Sequence, residues 1–257
     1  MTTTASTGCV WITGASSGIG RALALRLARA GRPVAASARS LRDLAELSDE
    51  ARLVGGFVQA HPVDVSDRSA MLAAARDIAS DLGPIRLAVF AAGNHLPMSL
   101  ETFNADVFQR LVQVNLFGVV HGIEAVLPDM LARRAGHIAV VSSVAGYRGL
   151  PTASAYGATK AALINMTEAL KLDCDRHGIK LQLIDPGFVK TPLTDKNPFP
   201  MPFLISAELA AERIEAGLKS GRFEITFPKR FTWMLKLMRV LPYALYFRLT
   251  RQATRQR

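Results

Sequence analysis

Cysteine is scarce in this chain of 257 residues, which contains only Cys9 and Cys174. Neither has a second cysteine at the spacing of a redox or metal motif, so the sequence excludes a disulfide framework and a cysteine-rich metal site. The five histidines are scattered without carboxylates or cysteines in a ligand pattern, and we expect no bound metal. The amino end, 1–7, is short and polar with no apolar signal region, which predicts a cytoplasmic protein.

Acidic residues are missing from the end of the chain. Positions 228–257 contain eight Lys or Arg residues and no Asp or Glu, so they carry +8 of the formal net charge of +10. Apolar residues such as Trp233 and Phe247 lie between the charges, and Pro242 divides the segment into two short helix-like pieces. Neither piece reaches the ~20 residues that a membrane-crossing helix needs. We call 228–257 the C-terminal extension.

The sequence leaves three uses of the C-terminal extension open. Basic amphipathic helices with aromatic residues are typical of segments that lie on an anionic membrane surface. The same apolar positions are also consistent with packing on the preceding domain, as a roof over a substrate pocket or as a contact between subunits. Nucleic-acid binding is the third use, but no feature of the rest of the chain supports it, and we expect no nucleic-acid partner.

Strand-like and helix-like segments alternate from Val10 to Phe227. Hydrophobic residues make up 49% of the chain, enough for the core of one domain, which we place at 1–227. The alternation predicts an α/β fold, a doubly wound parallel sheet of about seven strands with helices on both faces. The predicted strands are Cys9–Thr13, Val34–Ala38, Gly56–Pro62, Leu87–Ala91, His137–Val141, Leu181–Asp185 and Glu224–Phe227.

A glycine-rich turn follows the first predicted strand. It has the spacing Gly-x-x-x-Gly-x-Gly at Gly14, Gly18 and Gly20, and an amphipathic helix then continues to Ala30. Gly14 permits a tight turn, Gly18 lets a pyrophosphate approach the backbone, and Gly20 lets the helix pack closely on the strand. Because the free amide groups at a helix N-terminus bind anions, we expect the phosphates of a dinucleotide there.

Tyr156 and Lys160 are four residues apart in a predicted helix, which places a phenol and an ammonium on one face. A tyrosine with an ordinary pKa near ~10 is a poor acid at neutral pH, and a nearby cation favours the phenolate. The pair is therefore a candidate proton-transfer device. Taken alone, this spacing also fits an ordinary helix with a half-buried tyrosine and a solvated lysine.

These residues, in this order, resemble the short-chain dehydrogenase/reductase family. Its hallmarks are a Thr-Gly-x-x-x-Gly-x-Gly turn, which Thr13 to Gly20 match, and a Ser…Tyr-x-x-x-Lys set, which Ser143, Tyr156 and Lys160 match. The resemblance extends over about the first 227 residues. It implies a Rossmann-like fold, a nicotinamide cofactor, interconversion of a carbonyl and an alcohol, and assembly as a homodimer or homotetramer.

The resemblance implies a function for each matched residue. Tyr156 is the implied general acid/base, and Ser143 holds the substrate oxygen. Ser142 is a rival for that serine, but Ser143 has the family's usual separation from Tyr156. Lys160 is implied to lower the pKa of Tyr156 and to bind the nicotinamide ribose, while Asn115 holds a water that links the lysine to solvent. The implied cofactor-binding residues are Thr13, Gly14, Ser16, Ser17, Gly18, Ile19, Gly20, Arg39, Asp64, Val65, Ala92, Gly93, Tyr156, Lys160, Pro186, Gly187, Val189 and Thr191.

The end of the second predicted strand indicates which nicotinamide cofactor is used. Ala38 stands where an acidic residue would bind the adenosine ribose and repel a 2′-phosphate, and Arg39 follows it. Because an arginine pairs bidentately with phosphate, the sequence favours NADP(H) over NAD(H). Asp64 matches the family residue that accepts a hydrogen bond from the adenine amino group, and it could equally cap a helix that starts near Arg68.

The segment 192–206 lies where the family has a mobile substrate lid, and it is rich in apolar residues. An apolar lid beside a basic amphipathic extension favours a hydrophobic carbonyl or alcohol, such as a keto-lipid, a fatty acyl derivative or a steroid-like molecule. This interpretation places the protein in lipid metabolism, peripheral on the inner face of a membrane. The candidate substrate-binding residues are His95, Tyr147, Phe188, Phe199 and Phe203.

One segment departs from the family pattern. The fourth strand ends with Phe90 and Ala91, where the family commonly has two asparagines that hold the central sheet. We therefore expect different local packing and unchanged chemistry. Since all four implied catalytic residues are present, the sequence favours an enzyme over the alternative, a catalytically silent NADP(H)-binding sensor or membrane-associated scaffold.

Overall fold

A parallel β-sheet forms the centre of the protein, in a computed structural model that describes residues 8–196 and 201–255. Its strands are β1 Cys9–Thr13, β2 Val34–Ser37, β3 Val58–Ala60, β4 Ile85–Phe90, β5 Gly136–Val141, β6 Ile179–Pro186 and β7 Glu224–Phe227. They lie in the order β3-β2-β1-β4-β5-β6-β7, and every neighbouring pair is parallel. The order reverses between β1 and β4, where such sheets open a crevice at their carboxyl edge. The predicted Rossmann-like α/β fold is confirmed.

Helices cover both faces of the sheet. They are α1 Gly18–Arg29, α2 Leu41–Leu53, α3 Arg68–Leu82, α4 Ala105–Val112, α5 Gly118–Arg133, α6 Ser154–Arg176, α7 Ala207–Lys219, α8 Lys229–Arg239 and α9 Tyr243–Arg255. On one face α1, α2 and α7 bury residues such as Leu23, Leu44 and Ile214. On the other, α3 and α6 bury Met71 and Leu163. Central strands covered on both sides are apolar throughout, as in β1, where all five residues are buried.

Strand β3 is shorter than the sequence predicts. We expected a strand over Gly56–Pro62, and the structure has one only at Val58–Ala60. This strand lies at the edge of the sheet and pairs with β2. Two backbone hydrogen bonds continue beyond it, from the amide of His61 to the carbonyl of Ala36 at 2.9 Å and from the amide of Val63 to the carbonyl of Ala38 at 3.0 Å. Pro62, which has no amide hydrogen, lies between these two donors, as is common for a proline in an edge strand.

Asn115 lies in a π-helical turn, Gln113–Phe117, that joins α4 and α5. π-turns inside α-helices frequently mark functional sites. The joined helix, Ala105–Arg133, is long and apolar enough to cross a membrane by length and composition alone. Because α5 packs on α3 and on the sheet, we interpret the joined helix as part of the protein core.

Phe90, which replaces an asparagine of the family pattern, is part of the core. Its ring meets the ring of Trp11 edge-on, with the centroids 6.0 Å apart. A Cβ on Gly122 in α5 would lie 2.3 Å from the Phe90 ring, so a glycine is needed to make room for it. The expected difference in local packing is therefore an aromatic contact between the sheet and α5.

The C-terminal extension forms α8 and α9, which lie on either side of Pro242 as the sequence predicts. α8 buries Phe231 and Leu235 against the domain, and α9 buries Tyr246. Part of the apolar surface of the extension thus packs on the domain, which is one of the three uses that the sequence left open.

Arg148 fixes the corner between α8 and α9. Its Nη1 donates to the carbonyl oxygens of Met238 at 2.6 Å and Leu241 at 2.7 Å, where α8 ends. Its guanidinium lies 4.1 Å from the centroid of the Tyr246 ring, and the Tyr246 hydroxyl donates to the carbonyl oxygen of Gly149. These contacts hold both helices to the loop at 148–149.

Candidate active site

A cleft of about 480 Å³ opens at the carboxyl edge of the sheet. It brings together most of the residues that the family resemblance implies. Those along it are Gly14, Ser16, Ser17, Gly18, Ile19, Gly20, Arg39, Asp64, Val65, Ala92, Gly93, Ser143, Tyr156, Lys160, Pro186, Gly187, Val189 and Thr191. Of the other predicted residues, the structure places Thr13, His95, Asn115, Tyr147, Phe188 and Phe203 outside the cleft lining, and Phe199 lies outside the described residues.

The glycine turn is packed too tightly for side chains. Gly14 and Gly18 have φ angles of 72° and 54°, in the left-handed region that favours glycine. A Cβ on Gly18 would lie 2.9 Å from Cγ2 of Thr191, and one on Gly20 would lie 2.3 Å from the carbonyl oxygen of Gly14. The start of α1 therefore lies directly against the turn and along the cleft, an arrangement that suits a pyrophosphate.

Two threonines support the loops of the cleft. Thr13 is buried, and its Oγ1 accepts a hydrogen bond from the amide of Ala92 at 3.3 Å, which ties the end of β1 to the end of β4. Thr194 donates through Oγ1 to the carbonyl oxygen of Val189 at 2.7 Å and shapes the loop that carries Thr191. The sequence analysis did not single out Thr194, although a threonine three residues after another is a signal for such a turn.

Asp64 lines the cleft and does not cap α3. Its Oδ1 accepts hydrogen bonds from the amide of Ser66 at 2.9 Å and from the Ser66 hydroxyl at 2.7 Å. The residue that caps α3 is Asp67, whose Oδ1 accepts from the amide of Ala70 at 3.0 Å. The capping alternative for Asp64 is therefore wrong, and Asp64 lies with Arg39 along the same cleft.

The structure distinguishes the two candidate serines. The hydroxyl of Ser142 is buried and donates to the carbonyl oxygen of Lys160 at 2.9 Å, so it is committed to holding α6. Ser143 begins a short 3₁₀ turn, where its Oγ accepts from the amide of Ala145 at 3.2 Å, and it also hydrogen-bonds with Tyr156. Ser143 is thus the serine beside the phenol.

Burial dominates the electrostatics of the Tyr156–Lys160 pair. Burial raises the pKa of Tyr156 to about 12, although the hydrogen bond with Ser143 acts to lower it. Burial lowers the pKa of Lys160 to about 8, although the charge of Asp185 acts to raise it. Lys160 Nζ donates to the carbonyl oxygen of Val141 at 2.9 Å and lies 5.6 Å from the centroid of the Tyr156 ring. The pKa of Tyr156 is therefore raised, contrary to the prediction that Lys160 lowers it, and burial is the main cause.

A neutral hydrogen-bond network lies on one side of this pair. Asn115 is fully buried, and its Nδ2 donates to the carbonyl oxygen of Asn94 at 2.9 Å and to Thr159 Oγ1 at 3.1 Å. Its Oδ1 accepts from the amide of Asn94 at 2.7 Å. A Cβ on Gly93 would stand 3.6 Å from Asn115 Oδ1 and 3.7 Å from Lys160 Nζ, so glycine leaves a small space between amide and ammonium. We call Asn94, Asn115 and Thr159 the neutral network.

A charged network also lies near the pair, since the charge of Asp185 acts on both Tyr156 and Lys160. Tyr147 donates through its hydroxyl to Glu224 Oε1 at 2.6 Å and lies 3.5 Å from Oδ2 of the fully buried Asp185. Lys236, from α8, forms an ion pair with Glu224. Burial and the charge of Glu224 raise the pKa of Asp185 to about 8. Burial also acts to raise the pKa of Glu224, but hydrogen bonds from Lys236 and Tyr147 lower it overall. We call these four residues the charged network.

The charged network corrects one prediction and adds one residue. We predicted Tyr147 as a substrate contact, but its side chain is buried with Leu235 of α8 and its hydroxyl is committed to Glu224. Asp185 was not singled out by the sequence analysis. An acidic residue at the end of the apolar strand β6, directly before Pro186, was the available signal.

The remaining predicted substrate residues fall into two places. His95 lies beside the candidate acid, with its ring centroid 4.8 Å from that of Tyr156. Phe188 and Phe203 both lie against Phe231 of α8, with centroid separations of 5.4 and 6.0 Å. An aromatic cluster thus joins the loop after β6, the segment near 203 and the C-terminal extension.

Comparisons with known proteins agree with this fold and cleft. The sequence model of the family described as short chain dehydrogenase matches residues 8–199. An uncharacterized oxidoreductase of Myxococcus xanthus is 38% identical over 235 residues, which are 91% of this chain and 93% of that protein. A short-chain dehydrogenase/reductase from Burkholderia phymatum in complex with NAD is similar in structure, with a TM-score of 0.83, 27% identity, and coverage of 91% of this chain and 93% of that one. An actinorhodin polyketide ketoreductase with NADPH has a TM-score of 0.78, 25% identity, and coverage of 86% and 95%.

The fold and the cleft define a dinucleotide-binding oxidoreductase. The chain belongs to the short-chain dehydrogenase family and acts between CH–OH and C=O groups. The family binds a nicotinamide cofactor, and the residues present fit one. Gly14 and Gly18 line the cleft with bare backbone, and no side chain of the described residues caps the amides at the start of α1.

Proposed function

We propose that this protein is an NADP(H)-dependent oxidoreductase that interconverts a hydrophobic carbonyl and its alcohol, with Tyr156 as the general acid/base. One observation carries the proposal. Ser143, Tyr156 and Lys160 line the same cleft as the glycine turn, so a proton donor and the cofactor cradle share one space. Placing two reactants together is worth up to ~7–11 kcal/mol of an activation barrier.

Each residue contributes a definite step. The turn at Gly14–Gly20 binds the pyrophosphate, Lys160 binds the ribose, and Thr191 with the backbone near Val189 orients the carboxamide. The nicotinamide, when bound, supplies or accepts the hydride. Ser143 positions the substrate oxygen, and Tyr156 gives it a proton or takes one back.

The protonation states favour reduction as the direction for which the free enzyme is poised. With a pKa of about 12, Tyr156 carries its proton at neutral pH, so the proton needed for reduction is present, although the raised pKa also makes the phenol a weaker acid. With a pKa of about 8, Lys160 is mostly charged at pH 7. A charged lysine close to the ring stabilises the phenolate that forms when Tyr156 has given up its proton.

The preference for NADP(H) is supported by the end of β2. Ala38 and Arg39 both line the cleft, and Arg39 is exposed, so its guanidinium is available to a 2′-phosphate. An acidic side chain, which would repel that phosphate, does not stand at Ala38. Structural relatives with a bound cofactor include one with NAD and others with NADPH or 5-hydroxy-NADP, so this preference rests on Ala38 and Arg39.

A hydrophobic substrate is supported by the aromatic cluster that Phe203 and Phe231 form with Phe188 on the loop after β6. Phe188 follows β6 on the loop to Val189, which lines the cleft, while Phe203 is half exposed and reaches the same Phe231 ring. Leu204 beside it is also exposed. Such side chains favour an apolar chain or ring over a small polar carbonyl.

Cofactor oxidation by the purified protein tests the proposal. NADPH and NADH are compared against carbonyls graded from short and polar to long and apolar, with wild-type and Arg39→Ala protein. We expect faster turnover with NADPH and long substrates, and an affinity for NADPH that falls about tenfold in Arg39→Ala while that for NADH is unchanged. A preference for NADH, or an Arg39→Ala protein that binds NADPH as wild type does, would contradict the cofactor assignment. Turnover confined to small polar carbonyls would contradict the substrate class.

A further inference from the structure

The C-terminal extension exposes an apolar surface that its own fold does not use. Its most exposed members include Trp233, at 68% exposed, and Val240, at 76%. We define the outer face of the extension by the exposed side chains Trp233, Met234, Leu237, Val240, Tyr243 and Phe247. The last two stack on each other, with ring centroids 5.9 Å apart.

The outer face is distinct from the surface by which the extension packs on the domain. In α8 the buried residues are Phe231, Thr232 and Leu235, while Trp233 and Leu237 are exposed. In α8 the exposed Trp233 and Leu237 are four residues apart, and in α9 so are Tyr243 and Phe247, so each helix has an exposed apolar stripe. Large exposed apolar surfaces of this kind mark sites of interaction.

Charge identifies the partner. Exposed basic residues lie beside the outer face at Arg230, Arg239 and Arg248, and 228–257 contains no acidic residue. The rest of the chain is nearly balanced, with 23 basic and 21 acidic residues, because 31 − 8 leaves 23 Lys or Arg and every acidic residue precedes 228. A second copy of this chain would bring one basic extension against another, whereas an anionic lipid surface offers both negative charge and an apolar interior.

We propose that the outer face of the C-terminal extension docks on an anionic membrane surface. α8 and α9 have 11 and 13 residues, so they lie in the plane of the interface and do not cross the bilayer. Trp233 and Tyr243 are the residue types that favour the headgroup region, and the arginines beside them bind lipid phosphates.

Arg148 and Phe231 connect this surface to the rest of the protein. Arg148 holds the corner between the two helices, so the outer face is presented by an ordered structure. Phe231, on the opposite side of α8, contacts Phe188 and Phe203. Docking therefore places the aromatic cluster close to the lipid, from which a hydrophobic substrate could enter. That last consequence rests on the proposed function, but the docking itself does not.

The protein carries its own reporter for this docking. It has two tryptophans, of which Trp11 is 0% exposed in the core and Trp233 is on the outer face. With the full-length protein we expect the tryptophan emission to shift to shorter wavelength on addition of phosphatidylglycerol vesicles, and not with phosphatidylcholine vesicles. The shift is expected to disappear in Trp233→Phe, which leaves Trp11 as the only tryptophan.

Vesicle flotation with matched variants decides the proposal. Trp233→Ser with Leu237→Ser is expected to lose flotation, while Leu53→Ser with Phe57→Ser, which removes an equally exposed pair elsewhere, is expected to keep it. Arg230→Gln with Arg239→Gln is expected to weaken partitioning about 30-fold, since each basic residue near the surface adds ~1 kcal/mol. Equal NADPH affinity of all variants shows that they are folded.

Three results would overturn the proposal. The first is failure of the full-length protein to float with anionic vesicles. The second is flotation of the Trp233→Ser, Leu237→Ser variant as good as that of wild type. The third is light scattering that shows two copies of the chain held together through Trp233 and Leu237 without lipid, which would make the outer face a subunit contact.

Discussion

The neutral network and the charged network both lie near the same tyrosine and lysine, yet they differ in what they supply. In the neutral network, Asn115 uses both ends of its amide to hold the loop after β4 and the side chain of Thr159. In the charged network, the charge of Asp185 raises the pKa of Lys160, and burial raises the pKa of Asp185. The comparison indicates that the neutral network fixes the geometry of the site and that the charged network adjusts the protonation of Lys160.

Removing the amide of the neutral network should have the largest effect. Asn115→Leu leaves the backbone groups of Asn94 and the hydroxyl of Thr159 without this buried partner. We expect the free energy of unfolding to fall by about 3 kcal/mol, measured by urea denaturation. Asn104→Leu is the control, because it removes an exposed cap of α4 and should cost only about 1 kcal/mol. Equal losses in the two variants would show that the buried amide has no special importance.

The glycine turn sharpens the same comparison, since it is the part of the site built from backbone alone. Gly18→Ala adds a Cβ to a residue in the left-handed backbone conformation and brings that Cβ against Thr191. We expect the free energy of unfolding to fall by about 2 kcal/mol and NADPH to bind at least about tenfold more weakly. Gly55→Ala has a similar φ of 72° but open space around the Cβ. The control should therefore lose stability and keep its NADPH affinity in a titration. Loss of NADPH affinity in both variants would contradict the claim that the Gly18 backbone contacts the cofactor directly.

Neutralising Asp185 should change pH dependence more than geometry. Unfolded Asp185 releases its proton near ~4 and folded Asp185 near 8, so wild-type stability falls as pH rises between those values, by no more than ~1.4 kcal/mol per unit. Asp185→Asn should lack this loss. The charge of Asp185 raises the pKa of Lys160, so Lys160 should lose its proton at a lower pH in the variant. As the pH rises, turnover should therefore fall earlier in Asp185→Asn than in wild type.

Two pH series measure this prediction: urea denaturation for stability, and kcat/KM for the protonation of Lys160. Wild type and Asp185→Asn with parallel stability curves between pH 4 and 8 would mean that Asp185 is ionised in the folded protein. An unchanged kcat/KM profile would separate Asp185 from the lysine.

The parts of the site also differ in how far the sequence predicts them. The glycine turn and the Tyr156–Lys160 pair are local patterns, and their occurrence together in one chain predicts a cofactor cradle and a proton donor. The charged network depends on the contact between Tyr147 and Glu224, which are 77 residues apart in the chain, and on Lys236 from α8. No local pattern specifies such a contact, and Tyr147 was therefore assigned to the substrate.

The same distinction explains the other differences between prediction and structure. The central strands are predicted well because burial on both faces gives continuous apolar runs. β3 lies at the edge of the sheet and has no such run, so its bounds are predicted less well. The pKa of Tyr156 depends on how deeply the fold buries it, and the spacing to Lys160 carries no information about that.

The most direct test of the account is the rate of NADPH oxidation by Tyr156→Phe with the best carbonyl substrate of the wild type. We predict that kcat/KM falls by about 10²–10⁴ while the Kd for NADPH changes by less than about twofold, since only the proton donor is lost. Tyr243→Phe, a change at an exposed tyrosine of α9, should retain wild-type turnover of a soluble substrate. A Tyr156→Phe protein with wild-type kcat/KM would contradict the assignment of Tyr156 as the general acid/base.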